Sequence, residues 1–324
     1  MYLQSEQKKY MPKHLPSVTI GIAAYNEAAN IAVLLHSLAE QAQNTYTLKN
    51  IIVISDGSTD DTVAMAKSVA NKKISIINDN KRNGQPARQN ELFAASTTDI
   101  VVLLDADVVP VDAQFVDQII APLLNDETVG LVGAKVLPAP AHTFVGSMLA
   151  WHHIWKQTLY ESHPEHEIYL CHGRARAFSK ALYTQLRWPP VLAEDAYSYL
   201  AAKQQGLRFV FQPTAQVYFQ PPSHIRDQHA QSARFLVSQK ELEKYFSPAT
   251  VQQEYSFSKQ LLLQHLLIGF TKKPLFTFAY LLMHLGTRLI HTTAPIQTNK
   301  KGIWEPSAST KRVAAPSRLR VTRQ

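Results

Sequence analysis

Two aspartates, Asp105 and Asp107, follow an apolar run in VVLLDADVVP, residues 101–110. Burying two unpaired carboxylates beside a hydrophobic strand costs free energy, so a partner cation is expected. Because alternate residues of a strand point to the same face, this spacing predicts both carboxylates on one side. Such hard oxygen donors are typical of Mg²⁺ or Mn²⁺ sites, in which water and phosphate fill the other positions. A turn with two solvated aspartates is the alternative.

A second acidic pair, Glu194 and Asp195, opens the segment EDAYSYLAAK, residues 194–203. Acids in the first turn of a predicted helix are common because the helix dipole favours them. A carboxylate that reaches the same crevice as the metal could also deprotonate an attacking hydroxyl as a general base. The residues alone leave both interpretations open.

Positive charge near these acids could come from two further segments. In QSARF, Gln231 and Arg234 are three residues apart and would share one helix face, from which a guanidinium could contact phosphates. Arg174 and Arg176 follow Cys-His-Gly at residues 171–173 and add further cationic groups. The histidines between residues 152 and 172 match no metal-ligand spacing, so we expect surface or core positions for them.

Strand-like and helix-like patterns alternate over the first 135 residues, and this order predicts an α/β fold with a largely parallel sheet. The predicted strands are SVTIGIAAY (17–25), NIIVISDG (50–57), KKISIIN (72–78), DIVVLLD (99–105) and VGLVGAKVL (129–137). The chain after residue 138 is less regular, and its final third is helical in pattern.

Polar residues follow each of the first four predicted strands. They are Tyr25-Asn26-Glu27, Asp56-Gly57, Asn78-Asp79 and Asp105-Ala106-Asp107. In parallel sheets ligands bind outside the carboxyl ends of the strands, so these clusters should converge on one binding crevice.

The composition is that of a globular protein with an uneven charge distribution. The 324 residues are 45% hydrophobic, and the single cysteine, Cys171, excludes an intramolecular disulfide and a cysteine-based zinc cluster. Residues 221–324 carry 15 Lys or Arg against 5 Asp or Glu, a net charge of +10. An anionic membrane surface, nucleic acid or a solvated basic tail could explain this charge. Nucleic acid is disfavoured because no aromatic-interleaved binding segment accompanies the basic residues.

The longest apolar run, LFTFAYLLM at residues 275–283, is too short to cross a membrane. Lys272, Lys273 and Arg288 flank it, and this pattern favours a helix that lies in the membrane interface. A helix packed on the catalytic domain is the alternative. Residues 295–324 are basic and polar, and we expect them to be disordered. No apolar segment resembling a secretory signal is visible at the start, which favours a cytoplasmic location.

At this point the sequence resembles the family 2 glycosyltransferases, which have the GT-A fold. The resemblance covers about residues 17–240 and lies in six motifs in the family's order: IAAYNEAANI (22–31), VISDGSTDDT (53–62), NGQPARQN (83–90), LLDADV (103–108), AED (193–195) and QSARF (231–235). It implies a Rossmann-like sheet with a nucleotide-sugar half at 17–137 and an acceptor half at 138–245. An N-terminal extension (1–16), a helical membrane-interface segment (246–294) and the disordered tail (295–324) complete the expected organisation.

The resemblance also implies roles for residues of the nucleotide-sugar half. Ala24, Tyr25 and Glu27 would line the nucleotide pocket, Asp56 would contact the base, and Gly84 and Arg88 would lie where a loop approaches the nucleotide. Asp105, followed by Ala106, would contact the ribose or the metal, and Asp107 would bind the Mg²⁺ or Mn²⁺ on the diphosphate.

In the acceptor half, the resemblance implies that Asp195 is the base for direct inverting displacement, with Glu194 beside it. The residues expected to contact the diphosphate or the acceptor are Gln231, Arg234, Phe235, Gly173, Arg174 and Arg176. Two departures from the family pattern bear on the acceptor. Phe235 stands where polysaccharide synthases have tryptophan, which weakens the case for chain elongation. The acceptor loop CHGRARAF is bulkier and more basic than usual, which favours an acceptor with a phosphate.

The sequence thus predicts a metal-dependent inverting glycosyltransferase of cell-envelope polysaccharide biosynthesis, attached peripherally to the cytoplasmic face of the membrane. The expected donor is a UDP- or GDP-sugar, and the expected acceptor is a glycan or a polyprenyl- or other lipid-linked glycan. The alternatives are a processive polysaccharide synthase subunit, a nucleotidyltransferase and a non-catalytic protein that binds sugar nucleotides.

Overall fold

Strands and helices alternate along the first part of the chain, as the sequence pattern predicts. The computed structural model describes residues 14–293 together with Thr310, Lys311 and Val313. The strands are β1 (Ser17–Ala24), β2 (Thr47–Ser55), β3 (Ile74–Asn78), β4 (Ile100–Asp105), β5 (Val108–Pro110), β6 (Val129–Pro138), β7 (Ala175–Ser179) and β8 (Arg208–Phe219).

Helices connect most of these strands and continue after the last of them. They are α1 (Ile31–Ala39), α2 (Thr62–Lys67), α3 (Gln85–Ala95), α4 (Phe115–Asn125), α5 (Phe144–Glu161), α6 (Lys180–Tyr183), α7 (Glu194–Gln204), α8 (Ile225–Leu242), α9 (Pro248–Tyr255), α10 (Lys259–Lys272) and α11 (Pro274–Thr293), with a 3₁₀ helix at Pro164–Tyr169.

The strands form one sheet in the order β3-β2-β1-β4-β7-β6-β8-β5. The four strands β3, β2, β1 and β4 are parallel, so their carboxyl ends meet at one edge. The chain passes from β1 to β2 on one side and later returns to β4 on the other side of β1. The strand order therefore reverses between β1 and β4, where a crevice opens in sheets of this kind.

The second half of the sheet is mixed rather than parallel. Strand β7 is antiparallel to both β4 and β6, β8 is antiparallel to β5, and β6 and β8 are parallel. The predicted strand at 129–137 is present as β6, and the sheet joins strands from both predicted halves. The prediction of a largely parallel sheet holds for β1–β4, where crossover helices leave a clear periodic pattern.

Each face of the sheet is covered by helices because the strands are apolar on both sides. In β4, Val102 and Leu104 point to the core beneath α1 and α4, whereas Val101 and Leu103 point to the core beneath α3 and α7. This alternation places the next residue, Asp105, on the α3 and α7 side.

The C-terminal helices pack partly on the long helix α5. The ring of His152 stacks on that of Tyr280 with centroids 3.2 Å apart, and Trp155 stacks on His265 at 3.8 Å. Within the described residues, no helix is both long and apolar enough to cross a membrane. The predicted extension at 1–16 lies almost entirely outside the described residues, as does most of the predicted tail at 295–324.

Candidate functional site

A pocket opens at the carboxyl ends of β1 and β4, where the strand order reverses. It gathers most of the residues that the sequence singled out, from both predicted halves of the chain. Those lining it are Ala24, Tyr25, Glu27, Asp56, Gly84, Asp105, Ala106, Asp107, Gly173, Arg174, Glu194, Asp195, Gln231 and Phe235.

The turn after β1 places Tyr25 and Glu27 at the pocket. Between them Asn26 adopts a left-handed backbone with φ of 54°, which asparagine tolerates better than most residues. Its side-chain oxygen accepts a hydrogen bond from the Thr59 backbone N–H at 2.8 Å, which ties this turn to the loop after β2. The Glu27 N–H donates to Thr62 Oγ1 at 2.7 Å. Burial, followed by the nearby charge of Asp107, raises the pKa of Glu27 to about 7.

Asp56 anchors the loop that follows β3. Its carboxylate accepts hydrogen bonds from the backbone N–H of Asn83 at 2.7 Å and of Gly84 at 3.1 Å, and it pairs with Arg82 and Arg88. Gly84 has φ of 88°, a conformation that favours glycine, and it begins α3. The predicted contact of Asp56 with the base stays a prediction; in the structure both carboxylate oxygens hold this loop.

Arg88 lies beneath the pocket rather than at its surface. Its side chain is only 1% exposed and pairs with Asp56, Asp79 and Glu91, so it does not line the pocket. In the structure, the effect of Arg88 on the pocket is therefore indirect. It fixes Asp56, and Asp56 fixes Gly84 and the loop.

Asp105 and Asp107 both line the pocket, but strand alternation accounts for only one of them. Strand β4 ends at Asp105, and Asp107 lies in the turn that leads to β5. Burial, followed by the neighbouring charge of Asp107, raises the pKa of Asp105 to about 6. Two carboxylates held this close favour a cation between or beside them. No group of three His, Cys, Asp or Glu that could hold a metal ion occurs in the part of the chain that the structure describes.

Glu194 and Asp195 begin α7 and face Asp105 across the pocket. Asp195 Oδ2 accepts from the Gly173 N–H at 3.2 Å, and its Oδ1 accepts from the Ala196 N–H at 2.8 Å. A Cβ at Gly173 would lie 2.6 Å from Glu194 Oε1, so a larger residue there would displace the end of the Glu194 side chain. Burial and then the charge of Asp195 raise the pKa of Glu194 to about 8.

The two predicted arginines of β7 and its preceding loop have different positions. Arg174 lines the pocket with its guanidinium carbon 4.2 Å from the centroid of Phe219. Arg176 is fully buried, and its Nη1 donates to Ser198 Oγ at 2.7 Å and to the Glu194 carbonyl at 3.3 Å. Arg176 therefore does not line the pocket, and its contact with diphosphate or acceptor stays a prediction. Strand alternation turns it inward, where it supports the start of α7.

Helix α8 brings Gln231 and Phe235 to the pocket, and the Phe235 side chain is 73% exposed. An exposed aromatic ring at a pocket mouth offers an apolar face for stacking. Arg234 lies on the same helix, and the position of its side chain is not among the described features.

Nine residues that line the pocket had not been singled out from the sequence as site residues, among them Gln85, His172, Thr310 and Lys311. Gln85 donates from Nε2 to Asp105 Oδ1 at 2.8 Å and thereby links α3 to the acidic pair. Its position directly after Gly84, at the start of a helix, was the available signal. His172 lines the pocket beside Gly173, and Thr310 and Lys311 reach it from the end of the chain, which no local pattern indicates.

Residues 19–187, just over half of the chain, match the profile of glycosyl transferase family 2. The chain belongs to this family. Its glucosyl-3-phosphoglycerate synthase relative in Mycobacterium tuberculosis is 28% identical over 120 residues, which are 36% of this chain and 36% of that protein. The probable glycosyltransferase YdaM of Bacillus subtilis is 32% identical over 131 residues, covering 38% of this chain and 30% of that one. The chain thus matches about a third of the length of these curated relatives.

Solved structures share the fold over a larger part of the family 2 chain. The mannosyltransferase PcManGT of Pyrobaculum calidifontis, in complex with GDP-Man and Mn²⁺, has a TM-score of 0.57 and 19% identity, covering 90% of this chain and 84% of that one. The M. tuberculosis glucosyl-3-phosphoglycerate synthase with Mn²⁺, UDP and phosphoglyceric acid has a TM-score of 0.51 and 21% identity, covering 69% and 78%. The predicted GT-A fold is confirmed.

Replacing Arg88 tests its role beneath the pocket. Arg88→Met leaves buried Asp56 without one of its cations, and we expect the free energy of unfolding to fall by about 3–5 kcal/mol. Arg208→Met is the matched control, because Arg208 pairs with Asp126 at the exposed surface and its loss should cost less than about 1 kcal/mol. Urea denaturation measures both, and equal losses would contradict the anchoring role of Arg88.

Proposed function

We propose that this protein transfers a single sugar from a nucleoside-diphosphate sugar to a hydroxyl of a glycan or lipid-linked acceptor, with inversion at the anomeric carbon. The observation that carries the proposal is the convergence of Asp105, Asp107 and Asp195 in one pocket at the strand-order reversal. Membership of glycosyl transferase family 2 supports the class of reaction. A role in cell-envelope polysaccharide synthesis is the setting we infer for such an acceptor.

Asp105 and Asp107 would hold a Mg²⁺ or Mn²⁺ ion. The donor chemistry fits, because the carboxylate oxygens of Asp105 and Asp107 suit these hard cations, and water and phosphate oxygens would fill the other positions. When bound, the ion would stabilise the negative charge that develops on the leaving nucleoside diphosphate. The complexes of the similar structures with GDP-Man and Mn²⁺ and with UDP and Mn²⁺ support a GDP- or UDP-sugar as donor.

Asp195 is the group we assign as general base. Its carboxylate is oriented by the Gly173 and Ala196 N–H groups and lines the pocket, whereas burial raises the pKa of neighbouring Glu194. The acceptor hydroxyl passes its proton to Asp195 as its oxygen attacks the anomeric carbon, and the nucleoside diphosphate leaves from the opposite side.

The acceptor side of the pocket is bounded by Phe235 and Arg174. An exposed aromatic ring can stack on an acceptor sugar, and the guanidinium can contact an acceptor phosphate. Both features suit a sugar linked through phosphate to a lipid carrier.

An apolar stripe on α11 supports peripheral attachment to a membrane. The side chains of Leu275, Phe278, Leu282, Leu285 and Leu289 are each more than half exposed. Their spacing of three or four residues places them on one face of the helix. Exposed Lys272, Lys273 and Arg288 lie beside this stripe, as expected of a helix that rests on anionic lipids.

Metal-dependent donor binding is tested with Asp107→Asn. We expect thermal-shift screening of nucleotide sugars with Mn²⁺ to show stabilisation of the native protein by a UDP- or GDP-sugar, and the variant to lose it. Asp112→Asn, at an exposed aspartate outside the pocket, should behave as the native protein does. Unchanged Mn²⁺-dependent binding by Asp107→Asn would remove this residue from the metal site.

The base assignment is tested with Asp195→Asn, which retains the shape of the side chain. We expect donor binding near that of the native protein and a roughly 100- to 10,000-fold lower transfer rate, since a positioned base contributes about that factor. The assay follows nucleoside diphosphate released in the presence of a polyprenyl-diphosphate-linked sugar. Release of pyrophosphate instead would indicate a nucleotidyltransferase, and a ladder of products would indicate a processive synthase.

Membrane attachment is tested with the double variant Leu282→Glu/Leu289→Glu. We expect the native protein to sediment with vesicles of phosphatidylglycerol and phosphatidylcholine, and the variant to bind them more than about tenfold more weakly, because apolar burial is lost. The control Val33→Glu/Leu124→Glu adds the same charge at exposed apolar residues of α1 and α4. A native protein that stays in the supernatant at low salt would show that the attachment proposal is wrong.

A further inference from the structure

Residues from the end of the chain lie against the donor side of the pocket. Asn30, only 3% exposed, donates from Nδ2 to the Lys311 carbonyl at 3.1 Å and accepts from the Val313 N–H at 3.0 Å. The side-chain amide of Asn30 thus forms hydrogen bonds with backbone groups of both Lys311 and Val313. These contacts concern Lys311 and Val313 alone, and the disorder expected for residues 295–324 stays a prediction. The sequence could not show these contacts because Asn30 and Lys311 are far apart in the chain.

The same asparagine connects this segment to the acidic residues of the pocket. Asn30 Nδ2 also donates to Glu27 Oε2 at 2.7 Å. Glu27 Oε1 in turn pairs with the Lys311 ammonium, which donates as well to the Tyr25 carbonyl at 2.8 Å. Asn30, Glu27 and Tyr25 therefore fix both the backbone and the side chain of Lys311.

The Lys311 ammonium has the capacity for one more contact. A lysine carries three N–H donors, and acceptors among the described residues engage two of them. The side chain is 23% exposed and lines the pocket that holds Asp105 and Asp107. The third donor is thus available to a ligand in that pocket.

The negative charge of the pocket favours an additional cationic donor. Acidic side chains dominate its lining, and a nucleoside diphosphate would bring further negative charge. Of the other cations that line it, Arg82 pairs with Asp56 and covers the Tyr25 ring, and Arg174 lies against Phe219.

We propose that Lys311 is a donor-binding residue, presented by Asn30, whose ammonium contacts an oxygen of the nucleoside diphosphate. This inference rests on the proposed function and adds to it a residue outside the region that matches the family profile. In this arrangement Lys311 completes the donor site.

Lys311→Met in the full-length protein tests the proposal. Isothermal titration with UDP and GDP in the presence of Mn²⁺ should give a dissociation constant about tenfold or more higher than that of the native protein, as for loss of a charged hydrogen bond. Lys311→Arg keeps the charge and should restore most of the affinity, which a purely structural role would not require. Lys72→Met is the matched control, because Lys72 is exposed before β3, at the opposite edge of the sheet.

A second variant tests the presentation by Asn30 without changing a pocket side chain. Val313→Pro removes the N–H that donates to Asn30, and we expect weaker nucleotide binding that does not add to the effect of Lys311→Met. Unchanged affinity in Val313→Pro would overturn the presentation by Asn30.

Three outcomes of the titrations with Lys311→Met and with the native protein are decisive. Unchanged affinity would overturn the inference alone, and tighter binding would overturn it by showing that Lys311 competes with the nucleotide. A native protein that binds neither nucleotide with Mn²⁺ would instead contradict the proposed function itself.

Discussion

Negative charge concentrated at one edge of the sheet is the constraint on which the site depends. Six acidic side chains line the pocket: Glu27, Asp56, Asp105, Asp107, Glu194 and Asp195. Burial of these groups, followed by repulsion between their like charges, raises the pKa values of Glu27, Asp105 and Glu194. A fold that keeps these groups together must place positive charge or hydrogen-bond donors around them. The negative charge that remains in the pocket attracts cations.

Side chains beneath the pocket compensate part of this negative charge. Arg88 neutralises Asp56, Arg176 supports Glu194 from the protein interior, and Gln85 donates to Asp105. The remaining negative charge faces the open pocket. Carboxylates that line an open pocket, backed by buried arginines, are suited to a divalent cation and an anionic ligand that arrive together.

A cluster of aromatic side chains connects α3 and β7 with the start of α7. The Phe93 ring of α3 lies 5.0 Å from that of Phe178 in β7 and 4.8 Å from that of Trp188. The Trp188 indole N–H donates to the Glu194 carbonyl at 2.8 Å, at the first turn of α7. Trp188 thereby links α3 to the first turn of α7, which carries the proposed base, Asp195. No sequence motif in α3 or α7 indicates this contact.

The sequence by itself determined the parallel half of the sheet and most of the pocket residues. Period-two and helical patterns mark β1 to β4, and polar residues at strand ends must meet at one edge when the strands are parallel. Only the tertiary structure decided that Arg88 and Arg176 turn inward, because a charged residue reads alike whether it faces a ligand or a buried carboxylate. Only it brought Lys311 to Glu27, since a contact between such distant residues depends on how the whole chain packs and leaves no periodic trace in the sequence.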